Sequence, residues 1–156
     1  MKLARSIILI LLCIAFVPSL ALGQTAEIDA IKKKAEKGYA LAQLQLAVIY
    51  EFGKGVPKDE AEAVKRYRKA AEQRNAVAQY LLGIKYKDGL GIPKNVAEGV
   101  KWIQKAAEQG NENAQHLLAV IYELGKGVPK DEAKAIKWYR KAAEQGDADS
   151  KYYLGN

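Results

Sequence analysis

The chain repeats itself every 36 residues, and a period of that length confines it to folds built by stacking one small supersecondary unit several times. Residues 34–69, 70–105 and 106–141 align without a gap, and residues 142–156 open a fourth copy. The segment Lys-Ala-Ala-Glu-Gln recurs at 69–73, 105–109 and 141–145, while GKGVPKD at 53–59, GLGIPKN at 89–95 and GKGVPKD at 125–131 hold one phase. A unit this short cannot bury an apolar face alone, so neighbouring copies must cover one another.

Apolar residues fall three or four apart throughout, and the strong breakers sit at fixed phases, so each copy reads as two helices. Helix A runs from about Tyr39, Asn75 or Asn111 to just before Gly53, Gly89 or Gly125. Ala42, Leu46 and Tyr50, then Ala78, Leu82 and Tyr86, then Ala114, Leu118 and Tyr122 form its packing stripe. Glycines supply the left-handed conformations that end it, and Pro57, Pro93 and Pro129 prevent its continuation. Helix B starts after an N-cap at Asp59, Asn95 or Asp131, and Glu62 and Glu98 complete a capping box where the third copy has Lys134. It ends at Gly38, Gly110 and Gly146; Arg74 stands at that place in the remaining copy, at a cost of about 1 kcal/mol if the backbone there needs a positive φ. Small residues at 63, 99 and 135 and the alanine pairs 70/71, 106/107 and 142/143 admit a close antiparallel partner. The expected fold is all-α, a solenoid of stacked antiparallel helix pairs.

Residues 1–23 read as a cleaved secretory signal peptide. Lys2 and Arg5 make a basic start, Ile7 to Val17 an apolar stretch broken by Pro18, and Ala21 and Gly23 the small residues of a cleavage site before Gln24. The apolar stretch falls short of the ~20 residues a membrane span needs, so no integral membrane segment is expected after cleavage. Residues 24–156 then form a single exported domain, periplasmic or secreted, with a half-copy at 26–38, repeats at about 39–74, 75–110 and 111–146, and a partial fourth at 147–156. The net charge of +7 drops by two with Lys2 and Arg5. Cys13, the only cysteine, leaves as well, so disulfide chemistry is excluded from the domain and either compartment suits it. With His116 the sole histidine, no multi-ligand His/Cys metal site is available, and no cofactor is implied. Ser150, Thr25 and the tyrosine hydroxyls leave little for nucleophilic catalysis, which needs a base oriented beside its nucleophile.

These repeats resemble the Sel-1-like family, a 36-residue helical class related to tetratricopeptide repeats. The family's Ala-x3-Leu-Gly/Ala-x2-Tyr is met by Ala114, Leu118, Ala119 and Tyr122. Its Gly-x-Gly-Val-x-x-Asp is met by Gly125, Gly127, Val128 and Asp131. Its Ala-x2-Trp-Tyr-x-Lys-Ala-Ala-x-x-Gly is met by Ala135, Trp138, Tyr139, Lys141, Ala142, Ala143 and Gly146. Copy two departs with Ile103 for Tyr and Gly99 for Ala, and copy one with Arg66 for Trp. The resemblance covers about residues 34–154 and implies a right-handed α-solenoid that binds other molecules, usually proteins, and that in bacteria is often exported. Some secreted members are linked to β-lactam binding or hydrolysis through cysteine-stapled forms; without a cysteine in the domain or a repeated serine, that role has no residues here to rest on.

Fold positions recur in every copy, whereas a recognition surface is free to vary. The face of helix A opposite its packing stripe carries Leu41, Leu44, Val48 and Glu51, then Val77, Tyr80, Ile84 and Lys87, then Asn113, His116, Val120 and Glu123, and Tyr152 continues the row. The first reading is a groove for a protein or peptide, anchored by Tyr80 and His116, since rigid aromatics commonly dominate interfaces. The alternative is that Val48, Ile84 and Val120 fill the space between successive helices. Alone, His116 reads as a capped or interface side chain, and Trp102 and Trp138 read as core. Lysines at 58, 94 and 130, at 65, 101 and 137 and at 69, 105 and 141 stack into a basic ridge, but Glu72, Glu108 and Glu144 interrupt it and an exported address argues against nucleic acid. Tyr152, Tyr153 and Leu154 leave an apolar C-terminal edge, where self-association or partner docking is expected. The function expected is a non-catalytic interaction scaffold; a β-lactam-binding or -hydrolysing envelope enzyme and an anionic glycan binder are the alternatives.

Overall fold

The computed structural model describes residue 23 and residues 25–155, so all of the expected signal peptide but Gly23 lies outside the described residues. Within them the chain is helical and contains no strand. After α1 (25–36) come α2 (Ala40–Phe52), α3 (Glu60–Glu72), α4 (Ala76–Asp88), α5 (Val96–Glu108), α6 (Glu112–Leu124), α7 (Glu132–Gln145) and α8 (Ala148–Leu154). Thus α2, α4, α6 and α8 are the A helices, and α1, α3, α5 and α7 the B helices. From α2 onward each helix packs chiefly on its neighbour in sequence, which is the contact pattern of a solenoid.

The N-caps and glycine stops work as expected, but the capping boxes do not form. The N–H groups of Asp59 and Asn95 are taken by backbone carbonyls, while Glu62 pairs with Lys65 and Arg66 and Glu98 with Lys101. Asp59, Asn95 and Asp131 accept the backbone N–H of residues 62, 98 and 134 at 2.9–3.0 Å, and Asn75, Asn111 and Asp147 cap α4, α6 and α8 in the same way. Gly53, Gly89 and Gly125 end the A helices in left-handed conformations. The loop is then tied back, because the N–H of each B-helix N-cap donates to the carbonyl of Tyr50, Tyr86 or Tyr122 at 2.8–2.9 Å. Each B helix ends in a left-handed residue that lets the next N–H reach back five residues, from Asn75 to Ala70 O at 3.2 Å and from Asn111 to Ala106 O at 3.1 Å. The left-handed residue is Gly38, Gly110 or Gly146, and in one copy Arg74, whose φ is +64°. A non-glycine residue there costs about 1 kcal/mol.

The core is a file of clusters along the stack: Ala35, Ala42 and Leu46, then Ala47, Ala63, Tyr67 and Leu82 among others, then Val100, Ile103, Leu118 and Tyr139 among others. Copy two is drawn tightest. A Cβ built on Gly83 would lie 2.9 Å from Gly99 O, and one on Gly99 would lie 2.7 Å from Gly83 O. Here the backbones of α4 and α5 touch, where the other copies hold Ala47 with Ala63 and Ala119 with Ala135.

No helix among the described residues is long and apolar enough to cross a membrane.

Candidate binding surface on the A helices

The A helices present the proposed row in two layers. Leu41 and Val77 are 63% and 47% exposed, and Asn113 is exposed beside them. Behind these, Leu44, Val48, Tyr80, Ile84, His116 and Val120 are half-buried. Leu44 and Val48 lean on the core of copies one and two, Tyr80 and Val120 on that of copies two and three. These side chains therefore fill the seams between successive A helices and still offer surface, so both readings of the row describe the same residues. Burial is the main cause of the raised pKa of the Tyr80 hydroxyl.

The charged members of the row each have a polar partner. Glu51 Oε2 accepts the hydroxyl of Tyr67 on α3 at 2.5 Å, and Glu123 Oε2 accepts that of Tyr139 on α7 at 2.6 Å. Burial first, and the adjacent carboxylate second, push both tyrosine pKa values well above the ordinary value. The middle copy has Ile103 for tyrosine and Lys87 for glutamate, so acceptor and donor change together, and Lys87 pairs with Asp88 at 2.5 Å. Glu51 also carries a contact the sequence reading missed. Lys85, buried on α4 where other copies have Ile49 and Ile121, places its Nζ 2.5 Å from Glu51 Oε1 and thereby locks copy two to copy one.

A second missed element is an amide ladder. Gln43, Gln79 and Gln115 are buried at one phase of the A helices, and each donates to a carbonyl near the end of the preceding B helix, Ala35, Ala71 or Ala107. Gln109 and Gln145 donate to the oxygens of Gln79 and Gln115 at 2.5 and 2.6 Å, whereas Gln73 turns to Lys69 O and leaves Gln43 Oε1 unpartnered. Recurrence of glutamine every 36 residues was the signal available in the sequence.

His116, the anchor proposed in copy three, meets the last helix. Its Nδ1 lies 2.9 Å from Asp147 Oδ2 and 3.0 Å from Ser150 Oγ, its ring meets Tyr139 edge-on, and Tyr153 stacks on Tyr139 at 4.0 Å. Serine, histidine and aspartate are brought together, but not as a catalytic triad. A triad places the serine and the carboxylate on opposite ring nitrogens, whereas both bind Nδ1 here and Ser150 is fully buried. The group clamps α8 to α6. Desolvation alone would raise the pKa of Asp147, but the Ser150 hydroxyl and N–H, followed by His116, hold it below the ordinary carboxylate value. Tyr152, one residue before the stacked Tyr153, is 88% exposed.

Of the tryptophans expected in the core, Trp138 is buried, whereas Trp102 is half-buried with Lys105 Nζ 4.1 Å above its ring. The lysines of the basic ridge are exposed, and three of them pair locally, Lys58 with Glu60, Lys65 with Glu62 and Lys101 with Glu98.

The Sel1 repeat model matches residues 40–75, 76–111 and 113–147. Among solved structures, the chain is 42% identical to a protective antigen of uropathogenic Escherichia coli with an SLR fold, at a TM-score of 0.79, covering 82% of this chain and 27% of that one. It is 38% identical to a Sel1 repeat protein from Oxalobacter formigenes, at a TM-score of 0.77, covering 82% of this chain and 52% of that one. The chain thus spans roughly a quarter to half of the length of these two structures. Cysteine-rich protein B of Helicobacter pylori shares the fold at 22% identity and a TM-score of 0.63, over 79% of this chain and 93% of that one. None of the curated proteins compared with the chain matches it significantly.

Proposed function

The chain belongs to the Sel1 repeat family, and from that premise we propose that it is an exported, non-catalytic scaffold that binds a protein or peptide along its A helices. Sel1 repeats are in general protein–protein interaction scaffolds. The observation that carries the reading is the row Leu44, Tyr80, His116 and Tyr152: one phase of four successive A helices that changes from leucine to tyrosine to histidine and back to tyrosine, while the alanine, leucine and tyrosine of the packing stripe are the same in the three complete copies. Variation at a partly exposed phase is what a recognition surface on a repeated scaffold requires. The single-nitrogen geometry around His116 supports the non-catalytic part of the reading.

Affinity capture from cell-envelope and host extracts, comparing the full chain with a Tyr80→Ala variant, tests this. A partner retained by the parent and reduced at least tenfold by Tyr80→Ala is the expected result, whereas equal retention would move the site off the A helices. The α8 edge offers a second surface, where Tyr152 is exposed and Tyr153 is stacked on Tyr139. We place self-association at this edge. Equilibrium sedimentation should show a dimer that Tyr152→Lys dissociates; a monomeric parent would end this part of the proposal.

A further inference from the structure

On the B-helix side, away from the row just described, the ends of α3 and α5 enclose a cleft of about 460 Å³. Arg74 lines it, and Arg74 is the only non-glycine residue with a positive φ among the described residues. The other copies place Gly38, Gly110 and Gly146 at this point, where a side chain would meet nothing within 4 Å, so no packing demand explains an arginine. Its guanidinium is exposed and has no hydrogen-bond or ion-pair partner among the described residues. The left-handed backbone is set by the helix end, through Arg74 N–H to Ala71 O and Asn75 N–H to Ala70 O, while the arginine side chain adds no contact to the fold and is placed to meet something outside it.

The surroundings define the chemistry of that something. The floor is built: buried Gln79 is fixed by its bond to Ala71 O and by the amide of Gln109, whose own oxygen remains available to accept. Glu72 and Glu108 offer two further acceptors, and Lys105 a second cation beside Trp102. Two cations and two carboxylates exclude a polyanion, since each neighbouring anionic group would face a glutamate. The Lys105 ammonium covers the tryptophan face that a sugar ring would stack on. An arginine fork paired with a row of acceptors suits one carboxylate carried on a chain of N–H donors. The equivalent junction one repeat on has the same tryptophan, lysine and glutamine pair in Trp138, Lys141, Gln115 and Gln145 but Gly110 at this phase. The clefts of about 300 Å³ beside Gly38 and about 320 Å³ beside Lys151 have no arginine at this phase either, so Arg74 is what sets this cleft apart.

We propose that this cleft is a second binding site, in which Arg74 takes the side-chain carboxylate of a single acidic residue in a peptide segment whose backbone N–H groups donate to Glu72, Glu108 and Gln109. The site is independent of the A-helix row.

The test is a titration of the isotope-labelled full chain, following the Trp102 indole and the Gln79 and Gln109 amides by NMR. The probes are acetyl-Gly-Glu-Gly-amide, its Gln counterpart and galacturonate. Saturable shifts with the Glu peptide, at least tenfold weaker with the Gln peptide and at least tenfold weaker again in Arg74→Gly, are expected. Arg74→Gly should meanwhile raise the urea midpoint of unfolding, which separates lost binding from lost structure. Arg74→Lys, keeping the charge without the fork, should bind between the two. Equal binding of the Glu and Gln peptides, equal binding by the parent and Arg74→Gly, absence of shifts at these resonances, or tighter binding of galacturonate than of the Glu peptide would each overturn the proposal.

Discussion

Replacing Gly99 by alanine, the residue its counterparts Ala63 and Ala135 already are, is expected to destabilise the protein by about 1–3 kcal/mol. Helix propensity argues for a gain of nearly 1 kcal/mol, because glycine inside a helix is less favourable than alanine by about that much. Sterics wins because the new methyl would lie 2.7 Å from Gly83 O and 2.9 Å from Lys87 N, and both obstacles are backbone atoms that cannot rotate away. Relief requires α4 and α5 to separate, which loosens the buried contacts of Ile103 and Leu82. Urea unfolding of Gly99→Ala beside Ala63→Gly would check this. Both should lose stability, the first by overpacking and the second by lost propensity, and a gain in Gly99→Ala would show that the helices move apart freely.

Removing the Glu51 carboxylate should cost more, about 3–5 kcal/mol for Glu51→Ala, because it leaves the buried ammonium of Lys85 without its partner. The reverse deletion is milder. In Lys85→Ile, which restores the residue found at 49 and 121, Glu51 keeps the Tyr67 hydroxyl and a share of solvent, since its side chain is 19% exposed. Combining the two should recover much of the loss, because an isoleucine needs no counter-charge. Chemical denaturation of the two single variants and the double variant measures the coupling directly. If Glu51→Ala and Lys85→Ile lost equal stability and the double lost their sum, the pair would not be the lock between copies one and two.

Both effects turn on residues of the middle copy, Gly99 and Lys85, the second paired with Glu51 of copy one. Gly99, Ile103, Lys87 and Lys85 in the middle copy, and Arg74 at the end of copy one, break the pattern of the other copies. As letters, they look like erosion of a repeat. In three dimensions, Ile103 and Lys87 replace a tyrosine–glutamate pair, Gly99 meets Gly83, Lys85 reaches Glu51, and Arg74 stands over a cleft beside Trp102. The candidate row on the A helices was legible because its members share one phase. The amide ladder was equally periodic, yet glutamine reads as a solvated residue until its neighbours are known, and burial of Gln43, Gln79 and Gln115 depends on the helix before each of them.

The sequence by itself determined the two-helix unit, its caps, its glycine and proline stops and its packing stripe. Each of these is a local relation within a few residues of one chain segment, and the 36-residue period then makes the stacking of copies unavoidable. Only the tertiary structure decided how His116, Asp147 and Ser150 meet, 31 and 34 residues apart, and that they meet at one ring nitrogen. The same holds for Glu51 and Lys85, 34 residues apart, and for Arg74 and Trp102 across one cleft. Contacts between copies depend on the angle and separation at which whole helices pack, and these follow from the summed shapes of many side chains, which no single segment of sequence encodes.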